Sequence, residues 1–156
     1  MQTVTVPMET LAEIIQLQLA NGGKATLTVT GSSMLPMLRE HRDSVVLIPP
    51  ARQKKGDIVL FRRESGKYVL HRIISMTENG YLCSGDNQAI LEPVTREQIV
   101  AVVDGFTRKG RAYTLDAPGY RLYQAVWVNL FFLRRHYIRI RRRLGRLRRR
   151  ICRRVK

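Results

Sequence analysis

The stretch "GDIVLFRRESGKYVLHRIISM", residues 56–76, decides how the chain is read. Two runs rich in Val, Ile, Leu, Phe and Tyr flank the turn signal "ESG", which predicts a pair of strands joined tightly. Along the second run, alternation sets Val69, His71 and Ile73 on one face and Leu70, Arg72 and Ile74 on the other. Working outward, the same β-type pattern recurs in "ATLTV", "DSVVLIP", "GYLCS", "QIVAVVDGFTR" and "RAYTLD". Gly, Asn, Asp and Pro clusters separate these runs. Many short strands at close spacing predict a mainly β fold, a compact antiparallel sheet or barrel.

Helical patterns flank this β region. Leu11, Ile14, Ile15, Leu17 and Leu19 predict a short helix from Thr10 to Ala20, stopped by "NGG". From Tyr120 the apolar residues Tyr123, Val126, Leu130, Leu133, Tyr137, Ile140, Leu144, Leu147 and Ile151 recur by threes and fours. That spacing predicts one long amphipathic helix, with Gly145 as a point of bending. The expected division is an N-terminal helix over 1–22, a β-rich body over 23–118 and a basic helical tail over 119–156.

The 156 residues suffice for a buried core, and 44% hydrophobic with 26% charged content is that of a globular protein. The net charge of +16 is concentrated at one end: residues 134–156 hold thirteen Arg or Lys and no acid. Cys83 and Cys152 are too far apart in sequence for a metal motif or a disulfide framework, so free thiols are expected and no cofactor is implied. The N-terminus carries Glu9 and Glu13 and lacks a basic leader, and the longest apolar run is too short to span a bilayer. A cytoplasmic location follows as the expectation.

Three segments carry candidate chemistry. In "TGSSMLPML", residues 30–38, Gly31 leads into two serines at a turn ahead of Pro36. Such a turn can bring the Ser33 hydroxyl and backbone N–H groups to one point, with Met34 buried as the anchor. Backbone bonding by Ser32 and Ser33 is the plainer reading of the same turn. His71 has the side chain whose ordinary pKa suits proton abstraction near neutrality, although a lone histidine on an apolar strand face often serves packing alone. "SGDNQAILEP" supplies Asp86 and Glu92, either of which can accept from the far imidazole nitrogen, with Asp86 taken first.

Taken in order, "GSSMLP", "GDIVLF", "YVLHRII" and "GDN" resemble the signature boxes of type I signal peptidases and the LexA-type self-cleaving repressors that share their β-rich fold. The resemblance covers residues 27–104. It implies a signal peptidase/LexA-like β-barrel or sheet and a serine endopeptidase acting on peptide or precursor substrates. Ser33 is then the nucleophile and His71, just before Arg72, the base, as in the histidine branch of that family. Asp86 and Glu92 match its acidic positions. Gly31 stands where leader peptidases often have a serine, so the oxyanion hole falls to backbone N–H groups of Ser33 and Ser32. Met34 and Pro36 are the residues expected beside substrate. Leader peptidases are fixed by a transmembrane helix, for which this chain offers no segment.

The arginine-rich helix implies an anionic partner. Thirteen like charges oppose self-association through the apolar seam. An anionic membrane surface is the first candidate, with Trp127, Phe131, Arg134, Arg135, Arg139 and Arg142 as contacts, which would hold the protein peripherally on the inner face. An acidic protein or peptide comes next, and nucleic acid last, because stacking residues are sparse in the tail. Two other functions compete with the peptidase: a non-catalytic adaptor of the same fold, and a LexA-type regulator. The latter would need a DNA-binding domain ahead of the catalytic boxes, where only 26 residues precede Leu27.

Overall fold

A computed structural model describes the backbone of residues 8–154 and the side chains of residues 10–141, 143 and 144. In chain order the elements are α1 (Met8–Ala20), β1 (Ala25–Thr28), β2 (Ser44–Ile48), β3 (Ile58–Arg62), β4 (Tyr68–Thr77) and β5 (Gly80–Ser84). They continue with β6 (Glu92–Thr95), β7 (Ile99–Arg108), β8 (Arg111–Thr114), α2 (Pro118–Asn129) and α3 (Phe131–Arg154). The fold is mainly β, one antiparallel sheet curled into a half-barrel. Its order is β1-β2-β7-β3-β4-β5-β6, with β8 paired to β7. Register shifts at Val46/Leu47, Leu60/Phe61 and Ile73/Ser75 mark bulges, which tighten strand twist and so curl the sheet.

The hairpin expected over residues 56–76 is β3–β4, paired with Val59 opposite His71 and Ile58 opposite Arg72. Its uninterrupted apolar run is explained by burial on both faces. Ile58 and Leu60 enter one core with Leu27, Met34, Val45, Val103 and Tyr120, while Val59 and Phe61 enter another with Ile73, Tyr81, Cys83 and Val94. A strand covered on both sides has no polar face to alternate with.

Two expectations about elements need correction. Glu92–Thr95 is a strand, which the expected β-type runs did not include. Pro93 disguised it, yet β6 ends the order of the sheet, and an edge strand is where proline is tolerated. The long C-terminal helix is two helices, interrupted at Leu130, and the second runs on through Gly145. The apolar seam stays on the surface, and a different set of residues packs. Tyr120, Val128, Phe131, Arg134 and Ile138 are the buried residues, whereas Val126, Leu130, Leu133, Tyr137, Ile140 and Leu144 are exposed. Leu147, Ile151 and Cys152 lie outside the residues whose side chains are described.

Candidate active site

The loop between β1 and β2 is closed at its base by Val29 N–H donating to the Asp43 carbonyl at 2.9 Å. Asp43, fully buried, accepts from the amides of Arg39 and Lys109 at 2.8 and 3.1 Å. Its bond to Arg42, together with those amides, holds the carboxyl well below the usual carboxylate range. This pins the loop that carries Ser33. Gly31 takes φ +79°, a left-handed conformation that a side chain resists, and Met34 is buried beneath the turn. Ser33, half-buried, lines a cavity of about 250 Å³ together with Leu27, Val29, Tyr68, Leu70 and His71.

A second turn, residues 85–88, backs the first. Asn87 N–H donates to the Ser33 carbonyl at 2.7 Å and Asn87 Nδ2 to the Ser32 carbonyl at 3.2 Å. A Cβ on Gly85 would lie 2.7 Å from that Ser33 carbonyl and 3.1 Å from Ser33 Cβ, so the approach is possible only for glycine.

His71 sits on β4 against the edge of Phe61, ring centroids 5.8 Å apart. The imidazole is buried, and burial pushes its pKa down to about 4 against the opposing pull of the Glu92 carboxylate. Its Nδ1 lies 3.7 Å from Glu92 Oε2, too long for a hydrogen bond, and has no other partner among the described residues. Glu92 is gripped from the other side by Arg63, Nε to Oε1 at 2.5 Å and Nη2 to Oε2 at 2.7 Å. No hydrogen bond joins Ser33 to His71 among the described residues; both residues line one cavity.

Asp86 does something else. Arg72 grips its carboxylate in a two-pronged bond, Nε to Oδ1 and Nη2 to Oδ2, both at 2.9 Å, with both side chains sealed from solvent. Arg72 also donates to the Gly56 carbonyl and the Tyr120 hydroxyl, and Tyr123 donates its hydroxyl proton to Asp86 Oδ2 at 3.0 Å. Of the two carboxylates, Glu92 and not Asp86 neighbours the imidazole, and Asp86 is committed to an arginine. Spacing alone could not separate them, because the deciding partners, Arg63 just after β3 and Arg72 on β4, come from elsewhere in the chain.

Helices α2 and α3 close over this hub. Trp127 Nε1–H and Arg134 Nη1 donate to the Asp86 carbonyl at 3.1 and 2.5 Å, and the Arg134 guanidinium lies over the Trp127 and Phe131 rings. Trp127, Phe131 and Arg134 thus pack on the body and do not form the outward contact surface expected of them. Arg139 is exposed, Arg135 is half-buried, and the Arg142 side chain lies outside the described residues. Pro36 likewise departs from its expected place: it borders a separate cavity of about 490 Å³ lined by Phe106, Tyr113, Tyr120 and Tyr123. Burial pushes the Cys83 thiol up to about 12, which leaves it an unreactive packing group.

Arg63 and Gln88 are the site residues that no sequence signal singled out: Arg63 takes its place from Glu92, and Gln88 lines the cavity of Ser33 and His71. No protein-family model matches the sequence, and a search of curated proteins finds no match.

Proposed function

We propose that the protein is a serine endopeptidase of the signal peptidase type, with the signal peptidase/LexA-like fold, cutting peptide or precursor substrates. The observation that supports this reading is that Ser33 and His71, from separate parts of the chain, line the same cavity. Neutral His71 takes the Ser33 proton as Oγ attacks the substrate carbonyl, whose oxygen is received by turn N–H groups at Ser33. The imidazolium, facing Glu92, then protonates the departing amine, and water releases the acyl group by the same steps in reverse. Asp86 acts as a positioning residue, fixing the turn whose amide holds the Ser33 carbonyl.

Labelling of the full chain by a fluorophosphonate probe tests this directly. The adduct is expected on Ser33, absent in Ser33→Ala, and slowed by roughly 1,000-fold or more in His71→Ala. A non-catalytic adaptor is the second reading, favoured by the missing Ser33–His71 hydrogen bond. An unlabelled native protein would leave that reading in place.

A further inference from the structure

The body-facing side of α2 and α3 is accounted for by Tyr120, Val128, Phe131, Arg134 and Ile138. An exposed flank of the same helices is not. Val126, Leu130, Leu133, Tyr137, Ile140 and Leu144 succeed one another by threes and fours and are between 42% and 70% exposed. Large apolar side chains placed singly on a surface need no explanation, but a continuous stripe that runs past a helix break does. Arg139, Arg141 and Arg143 are exposed beside it, and no Asp or Glu follows Asp116.

The charge distribution chooses among occupants. A second copy of the same helix would bring thirteen positive charges against thirteen. Nucleic acid would satisfy the arginines but leave the stripe in water, and Tyr137 is the one aromatic on it. A bilayer with anionic headgroups takes both parts at once, the stripe at the acyl boundary and the guanidinium groups among the phosphates. Among the described residues no helix is long and apolar enough to cross a membrane, so the contact is an in-plane one.

We propose that this outward stripe lies in the headgroup boundary of an anionic lipid bilayer, with the flanking arginines on lipid phosphates. The assignment replaces Trp127, Phe131 and Arg134, which face inward, and holds whether or not Ser33 is a nucleophile. It has a geometric consequence. The inward face of the same helices grips Asp86, so α2 and α3 join the membrane-facing stripe to the turn behind Ser33.

Sedimentation of the full chain with vesicles of phosphatidylglycerol and phosphatidylcholine, and with phosphatidylcholine alone, tests the proposal. The protein should bind the anionic vesicles, and the double substitution Leu133→Ser, Ile140→Ser should weaken that binding at least tenfold. Both positions are exposed, so the far-UV spectrum should be unchanged, and retention on duplex DNA should be unaffected because no charge is altered. Equal vesicle binding by the double variant would overturn the proposal, since charge alone would then suffice. Failure to bind anionic vesicles, with retention on DNA or on an acidic polypeptide, would overturn it in favour of those partners.

Discussion

His71 must stay neutral while sealed from water, and its surroundings set the pH at which it fails. The unfolded imidazole titrates near 6.5 and the folded one at about 4, so the folded chain binds fewer protons between those values. Stability is therefore full above pH 6.5 and falls as the pH drops toward 4, by on the order of 3 kcal/mol in all. Denaturant unfolding at pH 7.5 and pH 4 should show this loss, and His71→Gln should remove most of it. The acid limb of probe labelling should likewise fall near pH 4, and Glu92→Gln, which deletes the charge favouring imidazolium, should move it lower still. Gly85→Ala should slow labelling by one to two orders of magnitude with no change in that limb, because the added methyl displaces Ser33 and leaves His71 alone. Ser33 and His71 were legible as residue types suited to a task. Glu92 against Asp86 was not, because two carboxylates near one another in sequence are told apart only by the arginines that fold onto them.

Between elements, the Arg72–Asp86 pair joins β4, the 85–88 turn, α2 and α3 through one buried aspartate, its carboxylate taking Arg72 and Tyr123 and its backbone carbonyl Arg134. Removing one partner strands a charge in the interior. Asp86→Ala should cost about 3–5 kcal/mol in unfolding free energy, measured by urea titration. Arg72→Lys should also destabilise, since an ammonium cannot span both oxygens as the guanidinium does. Arg134→Ala is subtler: it should slow labelling by freeing the Asp86 carbonyl while leaving the acid limb of His71 in place. The helical period in residues 120–151 was readable, but the packed face was not. Apolar spacing picks out the stripe Val126–Leu144, whereas the body takes a stripe that includes an arginine and two large aromatics. Hydrophobicity marks which side avoids water; a buried carbonyl and two aromatic rings can hold a guanidinium inside.

Across the whole molecule, stability should follow position in the sheet. β3 lies between β4 and β7 and is buried on both faces, while β8 is exposed along its length and β6 is an end strand. Amide hydrogen exchange should be slowest in β3 and the adjoining half of β7 and fastest in β6 and β8. The sequence by itself determined the class of fold and most strand limits, because alternation and turn residues act within a few residues of one another. It also determined the chemical character of the tail, since charge and spacing are local properties. Only the tertiary structure decided which carboxylate meets the imidazole, which side of the C-terminal helices packs, and that Pro93 lies in a strand. Each of those depends on a partner supplied from elsewhere in the chain: a guanidinium for each carboxylate, a turn carbonyl for Arg134, and the edge of a sheet that leaves a proline unpunished.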